Sequence, residues 1–539
     1  MKNRLLLCLP MFLLWIFCLK PFSAKSQTVY QHVSGRGIYS FLDEMANERI
    51  IELNSVVKPY SRQFIASKLL EIRESGKTLN NRQQKELDFY FKDYNKELLE
   101  GKKWGKRIDL FYYNDSMFTF SLNPIVGLQY WSNNYGSNYH RWNGLDMFGY
   151  IGKHVGIYAS LRDNHEKEKL AGYKYLDPYP GAVYKGGQDY SEMRGGITFS
   201  WKWGSIGLIK DNPQWGNFYH YPSVLSAKAP SIAQLQFSMK PAKWFEFNYY
   251  HGWLVSGVVD SAGSLVYTNS YGTGTRKLYE KKYIAANMFT FKPWKGLYTS
   301  IGNSIIYSDS DPHPAYLIPF LLYKSVDHQN NNASANEGGQ NSQFFIDISS
   351  RQIRHLNLYA TLFFDDISTS RLFSNGHLDY YSLNAGFQVS NLIRNTFLTF
   401  EYFQSYPLVY KHNMPVTTYE SNFYNMGHYL QDNSRGFYLG LALKPVRGLT
   451  TELFFNHALH GRDHEALGTD RIEVTEMFLD SITWKNTMVG FDVNYLIFND
   501  IYFFGSYRYQ LNKGEIEKYT APCFRGKTNT FSVGVNWGF

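Results

Sequence analysis

Apolar and polar residues alternate without a break through residues 530–539, at the end of the chain. A β-strand places successive side chains on opposite faces, so this pattern predicts a strand with one apolar and one polar face. The same period of two begins at Ser116 and recurs at 245–253, 437–443 and 501–511. Many strands of this kind must bury their apolar faces, either in a soluble β-sandwich or in a barrel surrounded by lipid.

The connections between these strands alternate between short turns and long polar stretches. Turns of a few residues stand, for instance, at 153–154, 241–243 and 499–500. Tight periplasmic turns and long outer loops are typical of outer-membrane barrels. The connections predict a transmembrane barrel of about 18 antiparallel strands, and an even number returns both chain ends to the periplasm. The long stretches are 132–143, 164–191, 212–229, 257–279, 309–341, 368–377, 408–433, 461–481 and 513–528.

Composition is compatible with a barrel, although an aromatic-rich soluble sandwich would share part of this signal. Aromatic residues make up 18% of the chain, yet its mean hydropathy is −0.38. A barrel is hydrophilic on average because apolar lipid-facing residues alternate with polar lumen residues, and Tyr and Trp collect at the membrane surface. The chain also ends on an aromatic residue, Phe539, which resembles the C-terminal signal of outer-membrane barrels. In a soluble sandwich a terminal Phe would be incidental.

Charged residues indicate which strand faces point into the lumen. Glu246, Glu401 and Arg508 would be costly against lipid, so we expect their faces to line the interior. A barrel of this size is wide enough for water, so the lumen side chains and in-folded loops decide whether it is closed. Bulky residues on these faces favour a closed barrel. They are Tyr250, Phe403, Tyr438 and Arg508.

Residues 1–26 have the features of a secretory signal peptide. Basic residues open the chain, an apolar stretch follows at 5–19, and the small residues Ala24 and Ser26 precede the expected cut. The apolar stretch is too short to favour a membrane-spanning helix. We therefore expect an exported protein whose mature chain begins at Gln27.

The exported chain keeps one cysteine and a small net charge. Cys8 and Cys18 lie in the signal peptide, so the mature chain has only Cys523 and can form neither an internal disulfide nor a cysteine-based metal site. The formal charge of +9 falls to +5 when the four basic residues of the signal peptide are removed. A net charge this small in a chain of this length does not indicate a nucleic-acid partner.

Residues 27–105 differ from the remainder, 106–539, because their apolar residues recur at helical spacing. One helix is expected over 39–51. A second follows Ser61 as its N-cap, and a third follows Asn80 as part of a capping box. We interpret this segment as a small periplasmic domain. It is either a stabilising plug or a docking module for a periplasmic or export-machinery partner.

Several local motifs match those of one family of barrels: the strand and turn 207–216, its return 225–230, the Pro-Ala-Tyr-Leu-Ile-Pro segment 314–319, the aromatic strand end 363–366 and the segment 424–436. These motifs are similar to those of the Wzi-type capsule assembly family, which the chain resembles over most of residues 34–539. The resemblance implies an outer-membrane barrel with a small periplasmic helical domain. It also implies a role in attaching capsular polysaccharide to the cell surface.

Lys210, Asp211 and Trp215 are the main candidates for glycan binding. They end a strand and open a long loop, which the topology places near the outer mouth of the barrel. Sugar binding needs a planar aromatic side chain under the ring and charged groups that bond its hydroxyls or carboxylates. These three residues could supply both. The alternative is an aromatic residue of the membrane girdle beside an ordinary ion pair in the lumen.

Asp366 is the fourth candidate, as a cap of its loop or a ligand for cations in the lumen. It adjoins Asp365, but neighbours on a strand point to opposite faces, so the two do not form an acid–base pair. His457 and His460 lie in a strand that keeps them apart, and only a loop could gather them around a metal. We therefore expect no catalytic residues, no metal site and no cofactor.

The sequence predicts an outer-membrane barrel of a Gram-negative bacterium that binds surface polysaccharide and helps to assemble or attach it. Its expected partners are the polysaccharide and outer-membrane lipid. The main alternative is a porin or another transport channel, and a weaker one is an outer-membrane enzyme. No nucleophile with an identifiable base is found in the sequence, so we expect a protein without enzymatic activity.

Overall fold

The computed structural model shows a closed barrel of 18 antiparallel strands with helices near the N-terminus. The predicted fold class and strand number are confirmed. The structure describes residues 27–98, 107–220, 222–270, 272–330, 340–365, 380–464 and 477–538. The strands are β1 Phe118–Asn133, β2 Gly136–Ile151, β3 Val155–Glu166, β4 Asp189–Trp201, β5 Gly204–Asp211, β6 Ile232–Ala242, β7 Phe245–Asn269, β8 Gly272–Trp294, β9 Leu297–Tyr307, β10 Asn341–Ser350, β11 Leu356–Asp365, β12 Tyr381–Ser390, β13 Thr396–Ser405, β14 Ser434–Leu443, β15 Leu449–Gly461, β16 Ile482–Phe498, β17 Ile501–Gly514 and β18 Lys527–Trp537.

Each strand pairs with its neighbours in the sequence, and β18 closes the ring on β1, with Trp537 opposite Val126. Where β18 stops, the short strand Phe111–Asn114 continues the pairing along β1. Closure leaves no row of unpaired backbone groups along an edge, which strands in lipid cannot tolerate. We call the two ends of the barrel the short-turn end and the long-loop end, after the connections that they carry.

The outer face of the barrel is apolar. On β5, Ile206 and Leu208 are 41% and 56% exposed, whereas Ser205 and Ile209 are buried on the inner face. The same alternation recurs on β18, where Phe531 is 61% exposed. A wall of large exposed apolar side chains is stable against lipid rather than water. The period-two pattern of the sequence therefore separates a lipid-facing surface from a lumen.

Some predictions rest on residues outside the described ranges. These are the signal peptide at 1–26, the aromatic terminus Phe539 and the domain boundary between 105 and 106. Among the helices that the structure describes, none combines the length and the apolar character needed to cross a membrane.

Two of the three helices in this segment begin at the residues that the sequence predicts. Ser61 caps the second helix, where its Oγ accepts from the backbone N–H of Phe64 at 3.1 Å. Asn80 and Gln83 form the predicted capping box of the third. The first helix was expected over 39–51 but starts earlier and stops sooner. The helices are α1 Arg36–Asn47, α2 Arg62–Glu74 and α3 Asn81–Tyr94.

A buried arginine in a short turn fastens this helical domain to the short-turn end. Arg351, between β10 and β11, is 3% exposed. Its guanidinium donates to Asp43 Oδ1 at 2.7 Å, Asn47 Oδ1 at 2.8 Å and the carbonyl of Leu53 at 2.9 Å. Charged groups are buried at little net cost only when all their hydrogen bonds are met in this way. The described N-terminus and the end of β18 thus share one end of the barrel.

A second buried contact links the domain to two further turns. Glu44 on α1 pairs with Arg82 of α3 and lies 3.5 Å from Lys444, in the turn after β14. Asn391, in the turn after β12, donates to it at 2.7 Å. Burial alone would raise the pKa of Glu44, but Lys444 and Arg82 outweigh it and hold that pKa below its ordinary value. Glu44 is therefore ionised in the folded protein.

Two of the predicted loops, 132–143 and 257–279, are extended hairpins instead. The strands β1 and β2 run on to a tight turn after Asn133, and β7 and β8 run on to Asn269. Both stretches are polar, which suggested loops, but polar residues also form strands where both faces meet water. These hairpins continue the ladder beyond the apolar part of the wall.

The segment 313–323, predicted as part of an outer loop, lies against the outside of the wall over β7–β9. Asn287, on the outer face of β8, donates to the carbonyls of Pro319 and Leu321, both at 2.9 Å. On the exposed side, Phe320 is 49% exposed. Polar side chains facing lipid are costly unless bonded, so this segment covers them and offers an apolar surface instead.

We predict that Arg351→Leu destabilises the protein by about 3–5 kcal/mol, because it leaves Asp43 buried without its partner. Thermal unfolding of the purified protein in detergent micelles would measure the loss, and the helical domain should become more sensitive to protease. Arg354→Leu is the matched control, because Arg354 lies exposed in the same turn. Equal stability of the two variants would contradict the proposed anchoring role.

We also predict that acid weakens the docking of the helical domain. Since the pKa of Glu44 is lower in the folded than in the unfolded chain, its contribution is complete above the ordinary value of 4.5 and is lost as pH falls through the folded value. Glu44→Gln should lower the melting temperature at neutral pH and flatten its dependence on acid pH. A variant with the same acid profile as the parent protein would refute this.

Candidate functional site

Lys210 and Asp211 lie on opposite faces of β5. The amine of Lys210 remains on the outer face, where it donates to the carbonyl of Met193 at 3.0 Å and to Ser231 Oγ at 2.5 Å. Asp211 faces the lumen and is fully buried. The two were expected to act together, but the period of two separates adjacent residues of a strand. They do not form one site.

Asp211 belongs to an ion pair within the lumen wall. Its Oδ1 lies 3.2 Å from the guanidinium of Arg194, and its Oδ2 accepts from the hydroxyl of Tyr158 at 2.9 Å. Both carboxylate oxygens are thus engaged by neighbouring strands. An ion pair in the lumen was the alternative to glycan binding, but the partner of Asp211 is Arg194 and not Lys210.

Trp215 lies inside the lumen and not at the outer mouth where it was expected. Its loop, 212–231, folds inwards, and Trp215 pairs in a short sheet with Val57 of the N-terminal segment. The indole ring packs edge-on against Tyr250 at 5.4 Å and Phe345 at 5.9 Å, and the residue is 3% exposed. No face of the ring is open for stacking on a sugar in this structure.

A carboxylate on the opposite wall holds this loop in place. Glu401 of β13 accepts from the backbone N–H groups of Tyr219 at 2.8 Å and His220 at 3.0 Å. It also accepts from the hydroxyl of Tyr359 at 2.9 Å. The prediction that Glu401 faces the lumen is confirmed. The charge is stabilised there because donors surround it.

The loop 406–433 folds inwards against the first one. The hydroxyl of Tyr410 donates to the carbonyl of Ser223 at 3.0 Å, and its backbone N–H donates to Asp365 at 2.8 Å. Asp365 therefore fixes a loop in the lumen. Its neighbour Asp366, a predicted glycan-binding residue, lies outside the described residues.

A third loop, 167–188, is bonded to the first through a buried lysine and to the second through a tyrosine. Lys228 donates to the carbonyl of Asp177 at 2.5 Å and to that of Tyr175 at 3.2 Å. The hydroxyl of Tyr424 also donates to the carbonyl of Ala182 at 2.9 Å. Three loops from distant parts of the sequence thus form one hydrogen-bonded filling of the lumen.

A small cavity of about 50 Å³ remains beside this filling, under the loops 167–188 and 515–526. Space of this size holds a few water molecules. Its walls combine aromatic rings with polar groups, which is the composition that sugar binding requires. The aromatic residues are Trp131, Tyr179, Trp484, Tyr519 and Phe524, and the polar ones include Asp177, Ser506, Arg508, Gln510 and Thr530.

Polar atoms beside the cavity retain bonding capacity. Arg508 lies 3.4 Å from Asp492, but within the described part of the chain its Nε and the Oδ1 of Asp492 are buried without a hydrogen-bond partner. Such atoms favour a bound water or a ligand hydroxyl. The predicted position of Arg508 in the lumen is confirmed. Trp131 and Trp484 were not predicted, although the alternation of side chains along their strands places both in the lumen, near the long-loop end.

His457 and His460 point to opposite sides of β15, as their spacing predicts. His457 lies on the outer face, where Nδ1 is 3.0 Å from Thr487 Oγ1. His460 is fully buried in the lumen, and its possible ligand atoms lie within 4.8 Å of those of Asp432 and Asp463. The residues close to His460 are therefore Asp432 and Asp463, and not His457 as considered from the sequence.

Neither a family model nor a curated protein matches the chain. A similar solved structure is that of Wzi, an outer-membrane protein involved in group 1 capsule assembly in Escherichia coli and a carbohydrate-binding β-barrel. It is 10% identical with a TM-score of 0.58, and the match covers 95% of this chain and 100% of that one. At this identity the likeness shows the fold alone, which is that of an outer-membrane β-barrel.

Two further solved structures are more distant. OccAB2 of Acinetobacter baumannii is 10% identical with a TM-score of 0.44, and the match covers 78% of this chain and 97% of that one. OccD3 of Pseudomonas aeruginosa is 13% identical with a TM-score of 0.42, with coverages of 77% and 90%.

We predict that Trp215→Ala destabilises the barrel by about 3–5 kcal/mol, because it empties a packed aromatic site. This reverses the expectation for an exposed stacking residue, whose loss would leave folding unchanged. Heat-modifiable migration on gels and thermal unfolding would measure the effect. Trp294→Ala is the control, since Trp294 is 66% exposed at the short-turn end. An unchanged melting temperature for Trp215→Ala would contradict the packing role.

Proposed function

We propose that the protein binds surface polysaccharide at the outer membrane of a Gram-negative bacterium and helps to assemble or attach it as a capsule. The observation that supports this most is the aromatic and polar cavity under the long-loop end. It lies in the part of the lumen into which the loops fold. The proposed role is binding, without catalysis.

The wall of the cavity suits a glycan better than it suits an apolar ligand. Trp131, Trp484 and Tyr519 offer flat ring surfaces. Arg508 and Asp177 can donate to and accept from hydroxyl groups, and Arg508 can also pair with a carboxylate of an acidic sugar. Because the cavity holds only a few waters, the loops 167–188 and 515–526 must shift when a sugar residue enters. These loops would then close over the bound polysaccharide.

The filled lumen argues against a transport channel. Tyr250, Phe403 and Tyr438, predicted to occlude the lumen, are buried at 2%, 3% and 8% exposure. The helical domain also lies across the short-turn end. One observation favours the alternative: Asp492 and Asn494, on the lumen face of β16, keep partial or full exposure. Water therefore reaches part of the interior, and conductance has to be measured.

The proposed topology places the helical domain and both chain ends in the periplasm. Tight turns face the periplasm in outer-membrane barrels, and the domain lies at the short-turn end. A periplasmic or export-machinery partner would meet the protein there. The long-loop end, with its cavity, would face the cell surface and the polysaccharide.

We predict that Trp484→Ala weakens glycan binding several-fold, since one aromatic contact with a ligand contributes about 1 kcal/mol. Arg508→Gln should weaken the binding of acidic glycans more than that of neutral ones, and less so at high salt. Binding of purified capsular polysaccharide and capsule retention on cells are the measurements. Trp294→Ala serves as the matched control, and heat-modifiable migration reports folding. Normal binding by both folded variants would remove this cavity from the proposal.

Conductance separates the two candidate functions. In planar bilayers we expect the wild-type protein to show no stable open channel, because loops and helical domain obstruct the lumen. Removal of the helical domain could destabilise the barrel, so the wild-type trace is the decisive one. Steady channels of porin size, together with normal capsule after gene deletion, would favour the transport alternative.

A further inference from the structure

Asp432, His460 and Asp463 come together at the long-loop end from two separate parts of the chain. Asp432 lies in the loop 406–433, His460 near the end of β15, and Asp463 just beyond that strand. One possible ligand atom from each lies within 4.8 Å of those of the other two. His460 and Asp432 are buried at 0% and 2% exposure, whereas Asp463 is exposed, so the cluster lies where the interior meets solvent.

His460 distinguishes this group from a simple cluster of acidic residues. Within the described residues, neither Nδ1 nor Nε2 of His460 has a hydrogen bond of good geometry, although the residue is completely buried and the backbone of Gly461 lies beside the ring. A buried imidazole normally bonds through at least one nitrogen, because burying an unbonded polar group is costly. The ring is held beside Tyr519, with centroids 4.9 Å apart. Its nitrogens are thus available to a ligand that supplies a bond.

We propose that Asp432, His460 and Asp463 bind a divalent transition-metal ion of the zinc type. Imidazole nitrogen and carboxylate oxygen are normal zinc ligands, and three protein ligands leave a position open for water or another group. The imidazole favours zinc over calcium or magnesium, which prefer oxygen ligands alone. The ion would fasten two long loops to the strand β15.

Two lysines already lie against the carboxylates. The amine of Lys411 is 3.1 Å from Asp432 Oδ2 and 3.7 Å from Asp463 Oδ1, and the amine of Lys518 is 2.7 Å from Asp463 Oδ2. A bound cation takes the place of the Lys411 ammonium, whose side chain is 26% exposed and can turn towards solvent. Lys411 is thus a built-in competitor of the metal.

The metal site adjoins the cavity proposed for glycan binding, but the metal proposal does not depend on the glycan proposal. Tyr519 lines that cavity and donates from its hydroxyl to Asp463 at 3.1 Å. Metal binding would therefore order one wall of the cavity. Because the proposal concerns the metal alone, it can be tested without any polysaccharide, and its failure would leave the glycan proposal intact.

The test is a calorimetric titration of the purified protein with Zn²⁺ in detergent micelles, after chelator treatment and without glycan. We expect one saturable site, with affinity at least about tenfold lower in His460→Ala and in Asp432→Asn, since each removes a ligand. Lys411→Met should bind Zn²⁺ more tightly, because the competing cation is gone. Ca²⁺ should bind more weakly than Zn²⁺.

His457→Ala is the matched control, because His457 lies on the same strand but on the outer face, and its zinc affinity should equal that of the wild type. Heat-modifiable migration confirms that each variant is folded. The proposal is overturned if the wild-type protein shows no saturable Zn²⁺ site. It is also overturned if folded His460→Ala and Asp432→Asn bind Zn²⁺ as well as the wild type, or if Lys411→Met binds it more weakly.

Discussion

The backbone hydrogen bonds between neighbouring strands are the constraint on which this structure depends. In lipid, an unpaired N–H or C=O group costs several kcal/mol, so a sheet in that environment has to close on itself. The pairing of β18 with β1 meets this requirement, and the short strand Phe111–Asn114 extends it. Once the ring is closed, each side chain of the wall points either outwards or into the lumen, and the period of two in the sequence decides which.

Closure creates an interior that strand side chains alone do not fill. The chain fills it with the loops 167–188, 212–231 and 406–433, which bond to one another and to buried charges such as Glu401. The N-terminal segment takes part, since Val57 pairs with Trp215. The helical domain at the short-turn end is therefore connected through the lumen to loops that return to the long-loop end.

Charges in this protein fasten elements that are distant in sequence. Arg351 and Glu44 join short turns to the helical domain, and Lys228 joins two in-folded loops. Each of them is buried and surrounded by partners, which is the condition under which a buried charge is stabilising. Arg508 and His460 differ, because each has a buried nitrogen without a hydrogen-bond partner among the described residues.

The sequence by itself determined the barrel, its strand number, the two helix caps, the positions of the short turns and the lumen side of Glu401 and Arg508. These follow from local rules: side-chain alternation, capping and turn chemistry act over a few residues. Only the tertiary structure decided that Trp215 is buried beside Val57, that the segment 313–323 covers the outer wall, and that Asp432 and Asp463 meet His460. The separation of Lys210 from Asp211 follows from the local period of two. Long loops carry no period that fixes where they pack, and their positions depend on contacts between residues far apart in the chain.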